Sequence, residues 1–500
     1  MKQLLHRNRL VHRLRVIERA TRRDDPEVSA ALAQRWSELP EHVRTPGQLL
    51  GRRLAGCEGT HGVFPACDFA CKPCYHSVDA NRVPIDGPHT IATVEAQMEY
   101  FRAHRGPVQH AQLIGGEVSL LSPEDHASVV DVMRQYGRMP MSFTHGDFDY
   151  DYLEKFAVRP DGTRRFDAVS FAVHIDSTMY GRRGIEHPTD ELDLNPYRAR
   201  FCAMFDRLEA EHGVRSHLAH NMTVTPGNLE QIPEVIAACR TMGFRVMSFQ
   251  PAAYVGNEVR WREDFRAMTD DDVWDQIQLG AGRSLPYKAV QVGDLRCNRT
   301  TWGFFAGDRY VPLLDDAEPG DLEVRDALFE AFPRSFLFVS RPLQALRVAR
   351  AIARRPSSIA LAAGWARRAL DRAGGVGQLR QGIQPLTFVM HNFMDARDVA
   401  PAWELLQRGE TSDDPTIRAT QERLQACSYG MAHPESDQIV PACAQHGVLD
   451  PEENRQLVTL LASPPRRPAR VGSVPDSGQR EGDAGAAGSS HVTRLSQPGA

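Results

Sequence analysis

Three cysteines stand at the spacing C-x3-C-x2-C in CDFACKPCYHS, residues 67–77: Cys67, Cys71 and Cys74. Thiolates are soft ligands that select zinc, copper(I) or iron–sulfur clusters. Structural zinc sites are nearly always closed by four protein ligands, usually from paired C-x2-C knuckles. Here only one C-x2-C is present and no fourth cysteine follows closely. Three thiolates on one loop suit three corners of a four-iron cluster, whose remaining iron is then open to a small molecule. Zinc is the alternative for the same residues. Some forty residues later, LIGGEVSLL carries Gly115, Gly116 and Glu117. Glycines there let backbone approach a ligand closely, and a carboxylate accepts hydrogen bonds from an ammonium group.

The elements that must position these groups alternate between strand and helix from about residue 60 to 310. AQLIGGE (111–117), PMSFTHG, DAVSFAVHID (167–176), HLAHNMTVT and RVMSFQPA read as strands, separated by helical stretches such as PEDHASVVDVMRQYGR and NLEQIPEVIAACRTMG. Strands joined through helices of this length need crossover connections, so the fold class is α/β with a parallel sheet. In parallel barrels the chemistry lies at the C-terminal ends of strands, where Cys67, Glu117, Asp176 and Gln250 all fall in this reading.

The cysteine triplet followed by Gly-Gly-Glu resembles the radical S-adenosylmethionine (SAM) superfamily. That resemblance implies a partial parallel (β/α)6 radical SAM barrel, a [4Fe-4S] cluster on Cys67, Cys71 and Cys74, and SAM bound at the open iron. It implies that one electron splits SAM to methionine and a 5'-deoxyadenosyl radical, which abstracts hydrogen from an unactivated C–H bond. A ferredoxin or flavodoxin-type donor would supply the electron. By the same resemblance, Gly115, Gly116 and Glu117 hold the SAM amino group. VSFAVHIDSTMYGRRG matches the fourth-strand region, with Asp176 and Arg182 (or Arg183) toward the ribose and carboxylate and His174 read as a packed strand residue. Asn221 and Gln250 face the cavity from the fifth and sixth strands. Pro73 stands where the superfamily often has an aromatic residue, which leaves the adenine contact to Tyr75. The strand before the triplet, GTHGVFPA, is short and weakly apolar.

An ordered series of later segments, MSFQPAAYVGNEVRW, LRCNRTTWG, HNFMDARD and RLQACSYGMAHPESDQIVPACAQH, resembles the branch containing the archaeal tetraether lipid synthase and the methanopterin methylase. This implies an auxiliary iron–sulfur cluster on Cys297, Cys427 and Cys443, with buried free thiols as the alternative. The branch's N-terminal cysteine-rich segment is missing, and only Cys57 precedes the triplet, while Cys202 and Cys239 read as core. No cobalamin-binding signature is evident. The branch implies C–C bond formation or methylation on a lipid-like or small-molecule substrate. A radical SAM peptide-modifying maturase and a non-catalytic iron–sulfur or zinc binding or sensing protein are the alternatives.

A net charge of -5 over 500 residues gives no electrostatic case for nucleic acid. No run approaches the roughly 20 apolar residues of a membrane span, and nine irregularly spaced cysteines argue against a disulfide framework. These features lead to the expectation of a cytoplasmic protein. The expected organisation is a helical segment over 1–59, the barrel over 60–310, a mostly helical extension over 311–462 and a disordered Pro/Gly/Ser-rich tail over 463–500. Leu10, Leu14 and Ile17 line one face of a basic N-terminal helix. Such a helix reads either as a surface helix docked on the main domain or as a peripheral membrane contact.

Overall fold

The computed structural model describes residues 26–74, 76, 78–106, 109–255, 267–332 and 341–462. The basic N-terminal helix over the first 23 residues, Tyr75 and the tail from 463 lie outside the described residues.

Among the described residues, eleven strands form one sheet. They are β1 (Cys57–Gly59), β2 (Gln109–Leu113), β3 (Arg138–Thr144), β4 (Ala168–His174), β5 (Arg215–Val224), β6 (Val246–Pro251), β7 (Asn298–Ala306), β8 (Arg309–Pro312), β9 (Ile383–His391), β10 (Tyr429–His433) and β11 (Gln438–Pro441). Their spatial order is β11-β10-β1-β2-β3-β4-β5-β6-β9-β7-β8. The run from β10 through β1–β6 to β9 is parallel throughout, with antiparallel β11 at one edge and antiparallel β7 and β8 at the other. The expected six-stranded parallel half-barrel is therefore present. Beyond it, the mostly helical extension contributes one further parallel strand on each side, β9 beside β6 and β10 beside β1.

Helices α1 (Pro26–Glu38), α2 (Gly87–Arg105), α3 (Pro123–Gln135), α4 (Tyr150–Ala157), α5 (Asn195–His212), α6 (Ile232–Cys239) and α7 (Asp270–Ala281) run beside these strands. Their starts are written in the sequence. Ser122 accepts from the Asp125 amide ahead of Pro123, and Thr269 and Asp272 close a reciprocal capping box. Between sheet and helices lies a core rich in aromatic rings, among them Phe101, Phe156, Phe171, Phe201, Phe205 and Phe249, all at most 1% exposed. Cys202 and Cys239 are buried in this core, as expected.

After α8 (Pro319–Ala331) come α9 (Arg341–Arg354) and α10 (Ser358–Ala373), which are rich in arginine. Two of their arginines are used internally: Arg368 Nε and Arg372 Nη1 bond the buried Asp321 carboxylate of α8 at 2.9 and 2.6 Å. Among the described residues, no helix is long and apolar enough to cross a membrane.

His126 of α3 is fully buried, bonded to Ser142 Oγ at 2.8 Å, and burial holds its pKa near 3 against an ordinary 6.5. A histidine kept neutral in the fold but free to charge when unfolded favours the unfolded chain as pH drops below 6.5. Lowering the pH from 7 to 5 should therefore cost about 2 kcal/mol through His126 alone. Urea titrations of wild type and His126→Gln at both pH values check this. Equal pH sensitivity in the two proteins would contradict it.

Candidate functional site

The cysteine loop leaves β1 and is pinned on two sides. Gly116 N and Glu117 N donate to the carbonyls of Phe64 and Ala66 at 2.7 and 2.9 Å. Ala70 N and Lys72 N donate to Tyr180 and Thr178 in the segment after β4, at 3.0 and 2.8 Å. The glycine pair serves this docking. A Cβ on Gly116 would lie 2.0 Å from the Ala66 oxygen, and one on Gly115 would lie 2.7 Å from the Phe64 ring. Gly-Gly thus brings the end of β2 against the backbone that carries the cysteines. Gly116→Ala should force that backbone apart and cost about 1–3 kcal/mol. Cluster content after reconstitution should fall with it, and unchanged stability and content would refute the docking role.

Cys67, Cys71 and Cys74 line one cavity with Gly115, Gly116 and Glu117. Burial pushes the Cys67 thiol up to about 12 and Cys71 well above its ordinary value, and the neighbouring triplet sulfurs act in the same direction. A bound cation reverses this by deprotonating its thiol ligands. Sulfurs on one tetrahedral zinc would sit roughly 3.8 Å apart. Among the described residues, the groups of His, Cys, Asp and Glu ligand atoms lying within 4.8 Å of one another do not include the cysteine triplet.

Glu117 is 1% exposed and already well bonded. It accepts from Ser119 N at 2.9 Å, Thr144 Oγ1 at 2.7 Å and His145 N at 2.7 Å. Its carboxylate is thus fixed at the junction of β2 and β3. Asp176, after β4, accepts from Thr178 N, Thr178 Oγ1 and Thr223 N at 2.8, 2.6 and 2.8 Å, and His174 Nε2 lies 2.7 Å away. Burial alone would raise its pKa, but these donors hold it near 2. His174 is more than a packed strand residue: it lines the cavity and bonds Thr223 Oγ1 at 2.9 Å.

Arg182 is buried and donates to the His145 carbonyl at 2.9 Å, with its guanidinium 5.2 Å from the Phe69 ring. Arg183, by contrast, is exposed and pairs with Asp147 and Asp149. Gln250 and Thr223 line the cavity. Asn221 is buried one pleat deeper than Thr223 on the same face of β5.

His145 was not anticipated. It follows β3, stacks on Phe69 at 3.9 Å and bonds Asp68 Oδ1 at 2.8 Å. The rule that selects C-terminal strand ends applied equally to THGD after β3, so the signal was available. Phe393, from HNFMDARD, also lines the cavity.

The later segments converge beside this cavity. Tyr254 N donates to Asp395 Oδ1 at 2.9 Å, and Ala396 N donates to the Tyr254 carbonyl at 2.7 Å, which joins the FQP and FMD segments. Asn392 N donates to the Cys297 carbonyl at 2.8 Å. Arg423 donates to Cys297 Sγ at 3.1 Å and to the Asn392 carbonyl at 3.2 Å. Cys427 lies close enough to raise the thiol pKa of both Cys297 and Cys443, and Cys297 also raises that of Cys443, the Cys297 thiol reaching about 11 chiefly through burial. The three late cysteines are thus brought together from parts of the chain up to 146 residues apart.

No family model and no curated protein matches the chain. Among solved structures, it is similar to Streptococcus suis SuiB bound to its precursor peptide SuiA, at 15% identity and TM-score 0.28 over 42% of this chain and 41% of that one. It is also similar to native anSMEcpe with bound AdoMet, at 12% identity and TM-score 0.28 over 40% and 51% of the two chains. A third match is anSMEcpe with AdoMet and the Kp18Cys peptide, at 10% identity and TM-score 0.29 over 44% and 58%. The matched part of each of those proteins is about half its length. The chemistry of the site follows from its own residues.

Proposed function

We propose that this chain is a radical SAM enzyme. The observation that carries the reading is the placement of Cys67, Cys71 and Cys74 on one loop at the C-terminal side of a parallel half-barrel, facing a cavity lined by Glu117 and His174. The donor set fits an iron–sulfur cluster with one open iron. When bound, the cluster and SAM supply a one-electron cleavage that yields a 5'-deoxyadenosyl radical for hydrogen abstraction.

The protein's own residues hold, orient and shield. Glu117 offers fixed acceptor oxygens to the SAM ammonium beside the Gly115–Gly116 backbone. Asp176 stays ionised at any physiological pH and, through His174 and Thr223, orders the polar wall toward the ribose. Arg182 holds the His145 carbonyl and stiffens the loop over which SAM would lie. Phe393, Val255 and Met179 give the cavity apolar walls that exclude water from a reactive radical.

Cys297, Cys427 and Cys443 bind an auxiliary iron–sulfur cluster in this reading, next to the wall that Phe393 contributes. Electrons come from a ferredoxin or flavodoxin-type donor. The substrate reading is C–C bond formation or methylation at an unactivated carbon of a lipid-like or small-molecule substrate, and it rests on the resemblance carried by the ordered FQP and FMD segments. Iron and sulfide analysis of anaerobically reconstituted protein tests the cofactor content. About eight irons are expected, four at each centre. Zinc in place of iron would sink the reading.

A further inference from the structure

At the base of the cysteine loop, His61 and His433 stack at 3.9 Å with their planes 19° apart, and Glu453 lies beside both. His61 sits between β1 and the cysteine loop, His433 ends β10, and Glu453 is in the first turn of α13 (Asp450–Ala462, following α11 at Ala396–Gln407 and α12 at Pro415–Gln425). The two histidine side chains are 9% and 5% exposed, Glu453 23%.

Tautomers decide what this group can do. His61 Nε2 lies 2.7 Å from the Ala432 carbonyl, which can only accept, so Nε2 carries a proton. Gln445 Nε2 donates to Asp450 Oδ1 and Glu453 Oε2 at 2.8 and 2.9 Å, which turns Gln445 Oε1 toward His433 Nε2 at 2.5 Å. His433 Nε2 is therefore a donor too. Both Nδ1 atoms then face carboxylates: His61 Nδ1 is 3.0 Å from Glu453 Oε2, and His433 Nδ1 is 3.0 Å from Glu435 Oε1 and 3.7 Å from Glu453 Oε1. In neutral rings these Nδ1 atoms carry lone pairs aimed at lone pairs. Protonating both would stack two cations face to face in a mostly buried site.

We propose that His61, His433 and Glu453 form a site for a zinc-type divalent cation, with Glu435 or water as the fourth ligand. The cation supplies positive charge between the nitrogens and the carboxylate without two adjacent imidazolium rings. The remote nitrogens are anchored on oxygen acceptors, as in metal-ligating histidines generally. The three ligand atoms lie within 4.8 Å of one another. Two imidazoles and a carboxylate suit zinc and similar first-row ions. Such an ion would fasten α13 to the base of the cysteine loop.

The proposal rests on no cysteine, so its failure and that of the radical SAM reading are separable. Zinc titration of the cluster-loaded full chain, competed with a chromophoric chelator and followed by zinc-edge X-ray absorption, tests it. The wild type should take up one zinc with a nitrogen and oxygen shell, and Cys71→Ala should retain that site. Glu453→Gln, which keeps the acceptor for Gln445, should bind zinc at least about 10-fold more weakly, and His433→Gln should do likewise. Equal affinity in wild type and Glu453→Gln, sulfur in the shell of that zinc, or no zinc uptake at all would overturn it.

Discussion

Cys71→Ala is expected to abolish 5'-deoxyadenosine formation and to remove about four of the irons while leaving those of the auxiliary centre. Cys71 is the middle cysteine of a loop held at both ends by backbone hydrogen bonds, from Gly116 and Glu117 on one side and to Tyr180 and Thr178 on the other. No other described cysteine lines that cavity besides its two partners. Losing a ligand should exceed the 10–100-fold effect typical of residues that only support ligands, so activity should drop at least about 100-fold. Cys443→Ala should lose the complementary irons. Retention of deoxyadenosine formation in Cys71→Ala would remove the triplet from the chemistry.

A second large effect is expected at the strand beneath that loop. Glu58 and Arg138 form a bidentate pair, Arg138 Nε to Glu58 Oε2 at 2.8 Å and Nη2 to Oε1 at 2.9 Å, with both side chains fully buried. Burial pushes the Glu58 pKa up, and Arg138 followed by Arg105 opposes it. Arg138→Met would leave a buried carboxylate without its bidentate partner and should cost about 3–5 kcal/mol. The double change Glu58→Leu with Arg138→Met removes both charges and should recover much of that loss. Urea midpoints of the three proteins decide the matter. A single-variant loss below about 1 kcal/mol would show that β1 does not depend on this pair.

That pair also explains what was hard to read in the sequence. The apolar residues ahead of the cysteines lie in GTHGVFPA, yet β1 is Cys57–Gly59, three residues with a glutamate at their centre. No apolar run marks it. It is a strand because β2 and β10 pair with it on either side and because Arg138 neutralises Glu58 from β3. By contrast, β3 to β6 were legible because strands covered on both faces read as apolar segments between capped helices. Strand β9 carries no local mark within a mostly helical extension, since its partner β6 lies far away in sequence.

The site divided along similar lines. The triplet, Gly-Gly-Glu and Asp176 were legible because residue type and spacing carry the chemistry. The glycines turned out to meet the cysteine loop's own backbone, a close approach that only the fold reveals. His145 reaches the cavity from the C-terminal end of β3, where the strand-end rule applies, and Phe393 reaches it from a segment far along the chain. The approach of Cys297 to Cys427 and Cys443 joins segments 130 residues or more apart.

The most direct test of the central claim is the formation of 5'-deoxyadenosine by the anaerobically reconstituted wild-type chain given dithionite and SAM. The radical SAM reading predicts deoxyadenosine and methionine in equal amounts, dependent on the reductant. An intact iron–sulfur cluster with no deoxyadenosine would contradict it and leave a binding or sensing protein in its place.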